Sequence, residues 1–379
     1  MNYIDCTKKL FWKRNSFPIY FTFFVTNRCN ARCNHCFYWE HLEKNVQEMK
    51  VEEIDYFTKT MKPLHHVNLT GGEPFLRDDL PKIVSLFRMN CKTQSFSIPT
   101  NGYDHNRIAS ITREIFHLSH DINLQINVSI DHLYDRHDKI RNFSGLFNNA
   151  ILTINALKGL QLKQLVVAVS ITLTKENKRD IDLIYSFVRD DIRPDKILPV
   201  LVRGNAKCSE TKDVSLDSYS QFVNLWRNDI VNDVFCGYTQ SLFGSLVASR
   251  DILVRKSIID ILKGKKINQQ CLAGVLGCVM REDGEVFPCE LLSESFGNIR
   301  SYYYDFKKVW FSSAAQKIRK KIREEHCTCG HECFQGINIL FNLKSLPVLF
   351  KTLYSLKVKN TEYVNSLLNY KKNDDGGIP

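Results

Sequence analysis

A chain of 379 residues exceeds one average domain and fits a large domain with a smaller one beside it. With 44% hydrophobic and 25% charged residues, 17 Gly and 10 Pro, the composition excludes disordered and fibrous classes. The 52 basic residues outnumber the 41 acidic ones for a net charge of +11, but they are scattered, so nucleic acid is not an expected partner. The densest basic cluster, Lys317, Arg319, Lys320, Lys321 and Arg323, runs straight into Glu324 and Glu325 and reads as a solvated helix face.

Taken in chain order, the first apolar run is Phe17 to Val25. Pro18 interrupts it, it falls far short of the roughly 20 residues of a membrane span, and no small-residue cleavage site follows. A cytoplasmic chain is therefore expected. Strands are predicted at Ile19–Val25, His66–Leu69, Gln94–Ile98, Leu124–Ile130, Val166–Leu173 and Lys196–Val202, each a short apolar run closed by turn residues. Helical spacing lies between them: Ile54, Phe57 and Met61 share a face, as do Phe147, Ile151 and Ile154. Six β-α units in succession predict an α/β fold whose parallel sheet curls into a partial, TIM-like (β/α)6 barrel over residues 15–230. A last helix (Phe222, Leu225, Trp226, Ile230) leads to an expected linker at 231–268. A cysteine-rich module follows at 269–336, and a helical tail at 337–379. The tail's apolar-basic stretch (Leu340 to Leu353) is expected to pack back on its own domain, with a membrane surface as the alternative.

The 13 cysteines are unevenly spread. Cys6, Cys91, Cys208 and Cys236 stand alone and read as small buried hydrophobes. Cys29, Cys33 and Cys36 form a C-x3-C-x2-C loop directly after the first strand. Three such thiols share a metal centre, pair, or sit idle. Zinc would want a fourth protein ligand, and His35 is squeezed between two of the cysteines. An iron–sulfur cubane held by three cysteines leaves one iron open.

This loop, followed by the aromatics Phe37 and Tyr38, resembles the signature of the radical S-adenosylmethionine (radical SAM) superfamily. Further segments agree in order over about 190 residues: Thr70-Gly71-Gly72-Glu73-Pro74, Pro99-Thr100-Asn101-Gly102, Ser129-Ile130-Asp131 with Arg141, Asn177, and Val202-Arg203-Gly204-Asn205-Ala206. The resemblance implies a 4Fe–4S cluster on the three cysteines. It also implies S-adenosylmethionine held by Gly71, Gly72, Glu73, Asn101, Ser129, Asp131, Arg141 and Val202. Read without it, Gly-Gly-Glu-Pro closes a β-α turn, and Asp131 and Arg141 make a surface salt bridge.

Near the end, Cys271, Cys278, Cys289, Cys327, Cys329 and Cys333 surround a hairpin signal at Asp283-Gly284, which would bring Cys278 and Cys289 close. Their order resembles the SPASM or twitch extension of the same superfamily and implies one auxiliary 4Fe–4S cluster. Cys271, Cys289 and two of the final trio are the expected ligands, and Cys278 is a possible substitute for one of them. A zinc ribbon is the alternative. Relatives of this kind reductively cleave S-adenosylmethionine and abstract a substrate hydrogen, fed by a reductant such as flavodoxin or ferredoxin. A maturase acting on a ribosomal peptide or a sulfatase is therefore the expected function. The alternatives are a dehydrogenase of a sugar-like small molecule and a non-catalytic iron–sulfur or zinc protein. Because the core begins almost at once, no separate leader-binding domain is expected before Ile19. No residue identifies itself as a substrate base.

Overall fold

The computed structural model describes residues 17–238, 242–265, 270–359 and 361–368. All six predicted strands form, within a residue or two of their expected ends: β1 (Tyr20–Thr26), β2 (His66–Gly71), β3 (Ser95–Thr100), β4 (Asn123–Ser129), β5 (Leu165–Leu173) and β6 (Lys196–Leu201). They pair in parallel in sequential order, β6 at one edge and β1 toward the other. Helices return the chain on the outside: α1 (Val51–Thr60), α2 (Leu80–Asn90), α3 (His105–Leu118), α4 (Tyr134–Arg141), α5 (Leu146–Gly159) and α6 (Ile181–Phe187). Local chemistry sets their ends. Asp104 caps α3 by accepting from the Arg107 amide at 3.0 Å, and Pro81 starts α2 where no amide partner is needed.

Strand alternation divides the sheet's two faces. Phe21 and Phe23 of β1 point outward and pack with Phe57 of α1 and Phe87 of α2, ring centroids 5.6–6.3 Å apart. Their neighbour Tyr20 points the other way, stacked at 5.1 Å on His66, whose ring nitrogens lie 2.8 and 2.9 Å from the hydroxyls of Ser95 and Ser97. The inner face is thus polar while the helix-facing side is apolar. That partition suits a barrel that holds a ligand rather than one filled by side chains.

Two features add to the reading of the sequence. First, the strands of the cysteine-rich module join the barrel's own sheet. The module's strand β7 (Gly277–Met280) pairs in parallel with β1, Tyr20 opposite Gly277 and Phe23 opposite Met280. The predicted hairpin to β8 (Glu285–Phe287) forms, and β9 (Gly297–Asn298) completes one nine-stranded sheet. Second, the stretch expected to be a linker follows α7 (Leu216–Val231) with the 21-residue helix α8 (Leu242–Leu262). From α8, Arg255 donates 2.9 Å to the Pro199 carbonyl of β6.

The remaining helices are α9 (Phe306–Trp310), α10 (Ser313–Glu324), α11 (Glu332–Leu340), α12 (Leu346–Lys357) and α13 (Thr361–Leu368). Of these, α11 and α12 pack on α8, and α13 packs on α7, α8 and α12, so the described tail folds back on its own domain as expected. The basic face of α10 is less solvated than its sequence suggests. Arg319 turns inward over Trp310 at 4.4 Å and Phe296 at 5.1 Å, and burial lowers it to about 10. Among the described residues, no helix is long and apolar enough to cross a membrane.

Candidate active site

The loop carrying Cys29, Cys33 and Cys36 leaves the carboxyl end of β1 and is clamped on every side. Asn27 pins its base, donating to the carbonyls of Lys44 at 2.8 Å and His41 at 3.2 Å. The amides of Arg32 and Asn34 donate to the last carbonyls of α4, those of Arg141 and Ile140, at 3.0 and 2.9 Å. On the far side, the amides of Lys207 and Cys208 reach the carbonyls of Cys36 and Asn34 at 3.1 and 2.8 Å. Asn142, held in the left-handed region at φ 50°, donates to the Arg32 carbonyl at 2.9 Å. Such a loop needs little reorganisation to present three sulfurs.

The thiols themselves show what the loop lacks. Burial, then the charge of Glu73, pushes Cys29 up to about 12; burial and the neighbouring Cys33 push Cys36 up to about 11; Cys33 is raised as well. Three partly buried thiols that repel one another as thiolates ionise only when a cation joins them. Arg141, 3.7 Å from the Cys33 sulfur, supplies part of that charge. Among the described residues, no three His, Cys, Asp or Glu side chains converge on one ion.

Around the loop lie the other strand ends. Gly71 (φ 133°) and Gly72 run against the start of the cysteine loop, the Gly72 amide donating 2.8 Å to Thr26 and the Glu73 amide 2.8 Å to Arg28. A Cβ would stand 2.2 Å from the Thr26 carbonyl oxygen at Gly71 and 2.1 Å from that of Arg28 at Gly72. Both glycines are therefore required by the protein's own backbone. Glu73 is turned inward. It accepts from the Phe75 amide (3.2 Å), the Thr100 hydroxyl (2.9 Å) and the Asn101 amide (2.7 Å), while burial pushes it up to about 7. The Glu73 carboxylate is thus engaged by donors of its own fold, and its main-chain carbonyl accepts from the Leu76 amide at 3.1 Å. Glu73→Gln places an NH2 against one of these donors and is expected to cost about 1–3 kcal/mol. Thermal unfolding of the apo chain measures it, and an unchanged midpoint would show the contacts to be unimportant.

Asn101 donates 2.7 Å to Asn30 and so joins the third strand's end to the cysteine loop. Asp131 and Arg141 do pair, at 2.6 and 2.8 Å, but in the interior rather than as the surface bridge their sequence also allowed. Asp131 also accepts from the Thr172 amide at 2.9 Å and stands 3.6 Å from His35. Burial alone would raise Asp131, but Arg141, His35, His137 and the Thr172 amide together outweigh it and hold the carboxyl down at about 2, so it stays ionised. Asn177 donates to the carbonyls of Asp131 and Thr172 at 2.7 and 2.8 Å and so supports this pair. Ser129 closes β4, and Val202, buried just beyond β6, donates 3.2 Å to Leu173. An open cleft of about 710 Å³, lined by Asn27 to Asn30, Glu43 to Val46, Glu48 and Leu76, gives access to Cys29.

In the second cysteine group, Cys271 and Cys327 lie close enough for the thiol of one to stabilise the thiolate of the other, which raises Cys271 and lowers Cys327. Cys329 lies near enough to raise both Cys271 and Cys289 by its charge. Cys278 stands apart. It is fully buried in β7, its sulfur 3.8 Å from the Val279 carbonyl, with Arg319 as its charged neighbour. The Cys333 side chain and Cys6 lie outside the described residues. Of the lone cysteines, Cys91 is buried as expected, Cys208 is half-buried, and Cys236 is exposed, donating 3.1 Å to Asp195.

Sequence reasoning missed how the two groups are joined. Arg203 lies 5.2 Å over the ring of Phe37, next to Cys36, and pairs with Glu332 at 3.1 Å and Glu290 at 3.4 Å, the latter next to Cys289. His331 reaches Glu290 at 2.9 Å, and the Tyr38 hydroxyl donates to Glu282 on the β7–β8 turn. The only advance signal was the aromatic pair after Cys36.

A partial barrel with three cysteines after β1, a glycine pair after β2 and a second cysteine group docked on the same sheet defines an iron–sulfur enzyme that uses a sulfonium nucleoside. Comparison with known proteins agrees: the radical SAM superfamily matches residues 23–188, and the SPASM iron–sulfur cluster-binding domain matches residues 271–334. The chain belongs to the radical SAM superfamily and carries a SPASM domain. That membership entails a three-cysteine 4Fe–4S cluster, S-adenosylmethionine and an auxiliary cluster.

Among characterised relatives, the Fe-coproporphyrin III synthase of Methanosarcina barkeri is 30% identical over 53% of this chain and 49% of its own length. The chain thus spans about half of that relative. The cysteine-type anaerobic sulfatase-maturating enzyme of Clostridium novyi is 26% identical over 70% of this chain and 71% of its own. In fold, native anSMEcpe with bound AdoMet matches at TM-score 0.59 and 16% identity, covering 93% of this chain and 100% of that one. Streptococcus suis SuiB bound to S-adenosylmethionine matches at TM-score 0.54 and 15% identity, over 80% and 68%.

Proposed function

We propose that this protein is a radical SAM maturase that oxidatively modifies a peptide or protein. The observation that carries the reading is the joining of the two cysteine groups through Phe37, Arg203 and Glu290 at one end of the barrel. That arrangement serves an enzyme that must take up an electron after hydrogen abstraction. When bound, the N-terminal cluster and S-adenosylmethionine supply a 5′-deoxyadenosyl radical by one-electron cleavage. In this chain Cys29, Cys33 and Cys36 hold that cluster, and the carbonyls after β2 receive the methionine ammonium. The pair Asp131–Arg141 braces the loop beneath Cys33, with Asn101, Ser129 and Val202 placed toward the nucleoside. Cys271, Cys289, Cys327 and Cys329 hold the auxiliary cluster. The polar inner face orients substrate, and the surrounding sheet and helices limit access of water. A low-potential flavodoxin or ferredoxin in the cytoplasm is the proposed electron source.

Support for a peptide substrate comes from the sulfatase-maturating relative, which is similar over 70% of this chain and 71% of its own length. A small-molecule substrate is the second reading, favoured by the Fe-coproporphyrin III synthase and by GTP 3′,8-cyclase, 30% identical over 44% of this chain. Anaerobic incubation with Cys- and Ser-containing peptides, reductant and S-adenosylmethionine separates the two. The proposal predicts peptides lighter by two hydrogens, with sulfur further exchanged for oxygen where a Cys thioaldehyde adds water and releases hydrogen sulfide, and 5′-deoxyadenosine formed in step. Unchanged peptides beside turnover of a small molecule would overturn it.

A further inference from the structure

Between Glu332 and Glu362 the chain contains no acidic residue and four lysines, Lys344, Lys351, Lys357 and Lys359. The centre of this stretch is α12, which buries Leu349, Thr352 and Ser355 and packs on α8. Its opposite face is apolar and open to solvent: Phe350 is 57% exposed, Tyr354 68% and Val358 50%, with Leu343 at 55% in the preceding turn. At about 100° per residue, Pro347, Phe350, Tyr354 and Val358 fall within an arc of roughly 80°. Lys357 borders this arc on one side and Lys351, whose ammonium lies 4.2 Å over the ring of Tyr363 on α13, on the other, about 20° beyond its edges, with Lys344 next to Lys351. The apolar arc is therefore centred on the solvent side and fenced by ammonium groups. Acidic groups on adjoining elements include Asp233, engaged by Lys359 at 3.5 Å, and Glu362 on α13.

A surface helix of a globular protein normally turns charge outward and apolar residues inward. Here the buried face already satisfies the packing on α8, so the second apolar stripe serves another contact. Its basic border and the lack of carboxylates over nearly thirty residues select an anionic partner. The rings of Phe350 and Tyr354 between lysines suit the boundary between headgroups and acyl chains.

We propose that α12 is a peripheral membrane anchor that lays Leu343, Phe350, Tyr354 and Val358 onto an anionic phospholipid surface. The barrel would then work beside a membrane without crossing it. The contact is separate from both cysteine groups, so its failure leaves the enzymatic reading untouched.

Flotation of the full-length protein with vesicles tests it, using phosphatidylcholine alone or with roughly a third phosphatidylglycerol. The anionic vesicles are expected to bind at least about tenfold more protein at low salt, and the excess should shrink near 0.5 M salt, roughly where charge is screened. Phe350→Glu with Tyr354→Glu should lower binding at least about tenfold while leaving thermal unfolding unchanged. Should that double variant fail to fold, Lys351→Gln with Lys357→Gln provides the second reading and should remove the salt-sensitive part. Equal binding to both vesicles overturns the proposal, as does full binding by either variant. Sedimentation showing the face closed between two copies overturns it too.

Discussion

Alanine in place of Cys29, Cys33 or Cys36 is expected to reduce 5′-deoxyadenosine formation to background while the barrel stays folded. The two effects separate because the thiols contribute little packing. Each is partly exposed, and the loop is held by backbone hydrogen bonds from Arg32, Asn34, Lys207 and Cys208 rather than by the sulfurs. Removing one such sulfur costs the apo fold on the order of 1 kcal/mol or less. It costs the cluster one of its three anchors, and without the cluster no electron reaches the sulfonium. Chromatographic quantification of 5′-deoxyadenosine from anaerobically reconstituted protein, beside a thermal melt of the same sample, measures both. Undiminished product from any of the three variants would remove that cysteine from the site.

The second large effect is a contrast within the C-terminal group. Cys271→Ala or Cys289→Ala is expected to lose roughly half of the bound iron, to retain some cleavage of S-adenosylmethionine, and to make no modified substrate. Cys278→Ala should keep all of the iron and both reactions. The reason is placement. Cys271, Cys327, Cys329 and Cys289 act on one another electrostatically, whereas Cys278 is buried in β7 beside Val279 and Arg319. Its cost is a small cavity, about 1–2 kcal/mol of stability. Iron analysis and substrate mass spectrometry on the three variants decide the matter. If Cys278→Ala halves the iron, the ligand set assigned to the auxiliary cluster is wrong.

The barrel was legible because buried parallel strands are short apolar runs with polar ends, and Ile19 to Val25 and Val166 to Leu173 are of this kind. The hairpin at Asp283-Gly284 was legible from turn chemistry, and its partners Val279 and Phe287 pair as the spacing suggests. Helix α8 was not. Arg250, Asp251 and Arg255 break its apolar pattern, yet Asp251 and Arg255 are buried and Arg250 is half-buried, Arg250 pairing with Asp251 at 2.6 Å and Tyr238 donating to Asp251 at 2.9 Å. Charges that neutralise one another inside a fold look like solvent-facing charges in a sequence. The pairing of β7 with β1 joins Tyr20 to Gly277, a contact between distant segments that no local periodicity reports.

At the site, residue types were legible and directions were not. Motif order identified Glu73, but its inward turn depends on the Thr100 hydroxyl at the end of β3 and on the amides of Asn101 and Phe75. Arg203 passed as one residue of a strand-end motif until Glu290 and Glu332 came to rest against it from the C-terminal module. Exposure of Cys236 likewise depends on how the turn after α7 meets Asp195.

The central claim is that the cysteine loop holds a cluster with one iron left for a sulfonium nucleoside. Mössbauer and electron paramagnetic resonance spectra of anaerobically reconstituted protein, recorded with and without S-adenosylmethionine, test it most directly. The account predicts one 4Fe–4S cluster with a distinct iron whose signal shifts when the nucleoside is added. A cluster whose irons are all alike and unmoved by the nucleoside, or zinc in the N-terminal loop, would contradict it.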